Sequence, residues 1–299
     1  MAKGSVILTH LIDGSPQGIR RVTMKNKTCE MYIIPRSEYS QAKVCKSLNL
    51  KQPALYILLE NINSFANNKT KAYIGQAEDV GQRIDQHFGG KNDFFQTIFI
   101  FVSTDHSINK ADVQYLEFKA IKAAKEAGRF DMSSNSKNGT FPHLTPDQLD
   151  VIEEFREFVW LLTSFAGCRI FMPALSQTTA ITHEDEEKML FYLSYGKQQI
   201  KAKALYAQDE MVLLKGSELN KITVKSAKPE KRKSLIDSLI KDDIIADKGD
   251  RYILRSNKTI PSPSTCAWMV TGTSINGWTC WKNSEGKTLN EQYRPKTEN

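Results

Sequence analysis

Pro53-Ala54-Leu55-Tyr56-Ile57-Leu58-Leu59 and Lys71-Ala72-Tyr73-Ile74-Gly75 are the two stretches whose reading decides the fold. The first is a short apolar run behind a proline. The second is β-rich and ends in glycine, and the polar insert Asn61 to Lys71 lies between the two runs. This pattern predicts a hairpin with a wide loop. Beyond Gly75, Val80, Ile84, His87 and Phe88 recur at helical spacing, so Asp79 to Phe88 reads as a helix with one apolar face. Arg83 and His87 are four apart, one turn from each other beside that face. Phosphate binding is one reason for a cation there, because a guanidinium offers forked donors to two phosphate oxygens.

Phe94 to Ser103 reads as a third, buried strand with a continuous apolar core. Asn109 to Ala127 follows as an amphipathic helix whose stripe holds Val113, Leu116, Ala120, Ile121 and Ala124. Glu117 falls inside that stripe, where a carboxylate is costly to bury unless it meets a cation. Singly, a strand tyrosine is ordinary packing and a stripe glutamate is ordinarily misphased or paired with lysine. The ordered set carries the signal.

Tyr56 with Tyr73-Ile74-Gly75, then Arg83, His87 and Glu117, resembles the GIY-YIG nuclease superfamily. Two departures stand out: Ala54 occupies the usual first glycine, and the insert lengthens the gap between the tyrosines. Neither removes a chemical group. The resemblance implies a small, mainly antiparallel sheet flanked by helices, an α+β fold, and a DNA endonuclease using Mg2+ or Mn2+ held by Glu117. It further implies Tyr56 as general base assisted by His87 or Tyr73, and Arg83 on the scissile phosphate. The late asparagine that completes such sites matches Asn135 best, with Asn138 next. Upstream, Leu11 to Arg20 and Ile34 to Ser37 look like the β-rich lead-in of one bacterial branch. Downstream, Leu214 to Ser217, Ser262 to Ser264, Asn276 to Trp278 and Trp281 resemble a domain of unknown function often fused behind such nucleases.

The phenol's reference pKa near 10 lets Tyr56 act as base only if positive charge lowers it or a relay removes the proton, and His87 is the natural relay. One carboxylate is a weak cage, so metal affinity is expected to depend on DNA being present.

The chain of 299 residues can hold two domains, and its 40% hydrophobic and 25% charged content is that of an ordinary globular protein. No apolar run approaches membrane-spanning length and the start lacks a signal-peptide pattern, so a cytoplasmic protein with no membrane partner is expected. Five scattered cysteines indicate neither a disulfide scaffold nor a zinc site. Apart from His87, the histidines His10, His106, His143 and His183 read as surface or turn residues.

Four segments are expected: a β-rich N-terminal subdomain over 1–52, the nuclease domain over 53–170, a linker and connecting helix over 171–200, and a smaller α+β C-terminal domain over 201–299. Helical signals cover Pro146 to Phe165, with Thr145 as cap, and Ser234 to Ile245. Lys201 to Lys215 reads as paired strands, and Trp268, Trp278 and Trp281 as core rather than base-stacking rings. Nine basic residues face three acidic ones in 1–52, twelve face fifteen in 53–170, and twenty face sixteen in 171–299. Attraction for DNA is therefore expected from the flanks, through Arg20, Arg21, Lys25 and Lys27 at one end and Lys231, Arg232 and Lys233 at the other.

The expected activity is phosphodiester hydrolysis in restriction, phage defence or a mobile element. A double-strand cut would need a homodimer, a partner subunit or two sequential events. The competing expectation is a non-catalytic or partner-dependent nucleic-acid-binding protein on the same scaffold.

Overall fold

The computed structural model describes residues 4–60, 70–136, 139–173, 187–196, 199–207 and 209–294. Asn138, His183, most of the polar insert (61–69) and the middle of the expected linker (174–186) lie outside the described residues. The described residues divide into two compact units, one reaching Pro173 and the other from Glu187 onward.

In the first unit, β1 (Ile7–Leu11), β2 (Arg20–Met24), β3 (Cys29–Pro35), the helix α1 (Tyr39–Val44), β4 (Ala54–Leu59) and β5 (Ala72–Ala77) come first. The helix α2 (Val80–Asp85), β6 (Thr97–Ser103), α3 (Lys110–Ala127) and α4 (Pro146–Phe165) follow. All six strands form one antiparallel sheet in the order β1-β2-β3-β6-β4-β5. The lead-in over 1–52 is thus no separate layer: β3 pairs along β6 and extends the core sheet.

Both faces of this sheet are covered, which is why β4 and β6 are apolar throughout. One face, with Tyr32, Ile34, Tyr56, Leu58 and Ile100, packs on Tyr39 and Ala42 of α1 and on Val80 and Ile84 of α2. The other, with Leu55, Ile57, Ile74, Phe99 and Phe101, packs on α3 and α4. Asn109 and Asp112 form a capping box at the start of α3, and Gly128, in the left-handed conformation at φ 62°, ends it. The helix α4 starts at Pro146 behind a Thr145–Gln148 capping box, as its sequence predicts. The helix α2 is shorter than the spacing predicts. It stops at Asp85, and His87 follows in a tighter turn, its N–H donating to Ile84 O, just before Gly89 and Gly90.

The second unit contains β7 (Leu190–Tyr195), β8 (Ile200–Ala207), β9 (Glu210–Leu213), β10 (Glu218–Asn220) and the helix α5 (Pro229–Lys241). It continues with β11 (Ile245–Asp247), β12 (Arg251–Leu254), β13 (Lys258–Ile260), α6 (Pro263–Thr271), α7 (Gly277–Cys280) and α8 (Leu289–Tyr293). Two sheets result, ordered β13-β9-β8-β7 and β10-β12-β11. The 171–200 segment is therefore not all linker: Phe191 and Leu193 are buried while Tyr192 and Ser194 are exposed, the alternation of a strand, and β7 pairs with β8. At the other end of that segment, Phe171 stacks on Trp160 of the first unit.

Trp281 is fully buried and donates to Pro263 O, and Trp268 donates to Ala227 O, so both belong to the core. Trp278 is half-buried, with the Arg294 guanidinium 3.5 Å from its ring centre. Among the described residues no helix is long and apolar enough to cross a membrane.

Candidate active site

The hairpin register fixes the first half of the site. Tyr56 stands opposite Gly75, and Leu58 opposite Tyr73, which puts both tyrosines diagonally on one face of β4 and β5 with ring centres 6.1 Å apart. The glycine is a steric requirement, because a Cβ at position 75 would lie 2.3 Å from Tyr56 Oη. The Tyr56 ring occupies the space that a side chain there would fill.

The α2 region brings in the next two groups. His87 Nε2 is 2.8 Å from Tyr56 Oη, and its ring centre is 5.2 Å from that of Tyr73. Arg83 is exposed and close enough to the phenols of Tyr56 and Tyr73 to interact with them electrostatically, while its Nη1 donates to Gln86 Oε1 at 2.7 Å. Tyr56 itself is fully buried and Tyr73 half-buried beside it.

Glu117 arrives from α3, at the outer edge of β5. Its half-buried carboxylate accepts from the backbone N–H of Gln76, feels the charge of Arg83, and lies 3.4 Å from where a Cβ on Gly139 would stand. Tyr56, Tyr73, Arg83, His87 and Glu117 are thus linked by direct or electrostatic contacts at one end of the β4–β5 hairpin.

Burial sets the protonation states. Desolvation, reinforced by Tyr73, raises the Tyr56 phenol above its ordinary value, and Arg83 offsets only part of this. The expected activation of Tyr56 by neighbouring charge is therefore outweighed. Burial and the nearby Arg83 cation hold His87 down at about 4, so it is a neutral imidazole at ordinary pH rather than a group titrating near neutrality. Burial lifts Glu117 to about 7, against smaller lowering by Gln76 and Arg83.

The donor set fits a hard divalent cation. Glu117 is a partly desolvated carboxylate with no ion-pair partner among the described residues, a situation that a bound cation relieves. No group of three or more His, Cys, Asp or Glu residues that could hold a metal occurs among the described residues. Glu117 would share the ion with water and substrate oxygens.

Asn135 meets the hairpin through the backbone of β5. Its Oδ1 accepts from Ile74 N at 2.9 Å and its Nδ2 donates to Ile74 O at 2.7 Å, so both ends of the amide are bound to the outer edge of β5. Ala72 N donates to Asp131 O and Asp131 N to Thr70 O, so residues 131–135 cover that edge. Asn135 therefore positions the strand between Tyr73 and Gly75.

The flanking basic residues also divide. Arg232 is buried at 1% exposure and donates to Met269 O, Asn220 O and Thr223 Oγ1, which removes it from any surface. Its spacing on α5 puts it on the inner face with Ile236 and Leu239, while Lys231 and Lys233 are exposed. At the other end, Arg21 pairs with Glu30, Lys27 pairs with Glu154 at 2.8 Å, Arg20 is half-buried and Lys25 is exposed. Register places Arg21, Tyr32, Ile100 and Tyr56 in one row across four strands, a span of about 14 Å.

Two residues near His87 carried no periodic signal in the sequence. Arg36 packs against the edge-to-face pair of Phe88 and Phe95, 4.8 and 4.7 Å from their ring centres, and donates to Asp93 O and Phe95 O. Asn92, in the loop that Arg36 clamps, has its Nδ2 3.5 Å from His87 Nδ1.

Residues 191–293 match the family model described as a domain of unknown function, DUF4357. The match covers most of the second unit. Neither the curated proteins nor the solved structures gave a match.

Proposed function

We propose that the first unit is a metal-dependent phosphodiesterase of the GIY-YIG type, a DNA endonuclease in restriction, phage defence or a mobile element. The observation that supports this reading most is the meeting of Tyr56, Tyr73, Arg83, His87 and Glu117 around one end of the β4–β5 hairpin.

When bound, a divalent ion such as Mg2+ would neutralise charge on the phosphoryl oxygens and the leaving oxygen. Glu117 holds it, and Arg83 grips the scissile phosphate with its forked donors. The attacking water reaches the buried Tyr56 Oη from the side of Arg83, beside the gripped phosphate. Tyr56 then takes a proton from the attacking water while passing its own to the neutral His87. A neutral phenol and a neutral imidazole 2.8 Å apart can do this without either carrying charge at the start.

A nicking assay on supercoiled plasmid with Mg2+ tests the proposal. Cutting is expected from the intact chain and not from Glu117→Ala. DNA binding without any cutting would favour the competing, non-catalytic reading.

A further inference from the structure

We infer that Asn92 is a positioning residue that fixes which nitrogen of His87 carries the proton. Its catalytic consequence rests on the nuclease reading, whereas the tautomer itself does not.

One line of hydrogen bonds runs from Tyr56 through His87 to Asn92. Between a neutral phenol and a neutral imidazole the phenol is the stronger acid and the imidazole nitrogen the stronger base, so the hydrogen between them lies on Tyr56 Oη. His87 Nε2, at 2.8 Å, is the acceptor in place. Nε2 is then without hydrogen, and a neutral ring must carry its proton on Nδ1. The group beside Nδ1 is the Asn92 amide, whose nitrogen stands at 3.5 Å and whose Oδ1 is buried without a donor. Rotating that amide by half a turn exchanges the two atoms and puts Oδ1 onto Nδ1–H. The groups facing the ring are then Tyr56 from β4, Tyr73 from β5, Arg83 from α2 and Asn92 from the loop. The loop is tied down by the Arg36 guanidinium, which pairs with Asp93 at 2.5 Å, donates to Asp93 O and Phe95 O and packs on Phe88 and Phe95.

In the reaction, an O–H bond of water breaks and its proton joins Tyr56 Oη while the phenol's original proton joins Nε2. The hydroxide oxygen bonds to phosphorus as the bond to the leaving oxygen breaks, and that oxygen takes a proton from solvent. Asn92 Oδ1 holds Nδ1–H throughout, so the imidazolium that forms is already hydrogen-bonded on its far side.

Nitrogen-15 NMR of the intact, histidine-labelled protein reads the tautomer directly. The expected result is His87 with its proton on Nδ1, and a shift toward the Nε2–H form in Asn92→Leu. Plasmid nicking by Asn92→Leu is expected to fall by about 10–100-fold, the usual effect of removing a partner that orients a histidine. Asn92→Asp keeps an acceptor at Nδ1, so it should retain the tautomer and most of the rate while raising the pH at which the ring takes up its second proton. Should Asn92→Leu fail to fold, Asn92→Asp carries the test alone. A wild-type His87 protonated on Nε2, or variants that leave tautomer and titration unchanged, would overturn the inference. If the wild-type chain cuts no DNA, the nuclease reading falls and the NMR result still decides the tautomer.

Discussion

Tyr56 Oη and His87 Nε2 stand 2.8 Å apart inside the first unit, one on a strand and the other in the turn after a short helix. Both groups are neutral at ordinary pH, because burial raises the phenol and, with Arg83, lowers the imidazole to about 4. His87 is therefore already in its proton-accepting form across the neutral range. The group that titrates near neutrality is Glu117, at about 7.

Cleavage should accordingly rise with pH through about 7 as Glu117 ionises. Because a cation competes with the proton for that carboxylate, more Mg2+ should move the midpoint to lower pH. Initial rates over pH 5–9 at two Mg2+ concentrations check this, and a midpoint indifferent to Mg2+ would count against Glu117 as its holder.

Arg83→Ala should lower the cleavage rate by about 10²–10³, the usual loss on removing one positioned donor to a transition-state oxyanion. Stability should change little, since Arg83 is exposed. Arg83→Lys should not restore the rate, because an ammonium lacks the planar fork. Single-turnover kinetics alongside thermal melts separate the two effects.

Gly75→Ala forces a Cβ against Tyr56 Oη, where only 2.3 Å is free. Overpacking of this kind destabilises by about 1–3 kcal/mol. Tyr56→Leu removes both Oη and Cζ, which that Cβ would meet at 2.3 and 2.4 Å, so the two substitutions together should cost less stability than the sum of each alone and show no activity. Urea titrations of the four chains give the coupling energy.

Glu117 and His87 pull the pH dependence of stability in opposite directions. The Glu117 carboxyl is raised from 4.5 to about 7, so the folded chain binds its proton more tightly and stability falls as pH climbs between those values. His87 is lowered from 6.5 to about 4, so its contribution is complete above 6.5 and is lost as pH falls toward 4. Glu117→Gln removes the first effect alone. Its Tm should rise with pH from 4 to 6.5 and then stay level, where the parent's profile is flatter and declines toward 7.

Arg232→Ala leaves Met269 O, Asn220 O and Thr223 Oγ1 without their donor inside the second unit. Stranding such groups costs about 1–3 kcal/mol each at most, so the second unit should melt early. Lys231→Ala with Lys233→Ala should leave melting unchanged, and any effect on DNA affinity belongs to these two exposed lysines. Calorimetry and filter binding at fixed salt discriminate the cases.

The strands and long helices were legible because period and capping are local properties: β4, β5, α3 and α4 follow their apolar runs and caps closely. Which residues meet across the hairpin was legible only through the ordered tyrosines and glycine. Pairing and burial were not. The joining of β3 to β6 depends on contacts far apart in sequence, and the strand character of β7 was obscured by its polar half. Asn135 was found as a residue but not as an edge brace, since nothing in a single asparagine tells a backbone partner from a ligand. Arg232 shows the same limit: in a run of basic residues, only the helix phase marks the one that points inward.

The brace formed by residues 131–135 reaches further than the single hydrogen bonds suggest. A bare β-edge attracts other chains, and this one is already zipped shut by residues 131–135. Lateral recruitment of a second sheet would have to occur at β1, four strands removed from Tyr56, where Leu8 and its neighbours face outward. Self-assembly by that route would build outward from β1 and leave the pairing of β4 with β5 untouched.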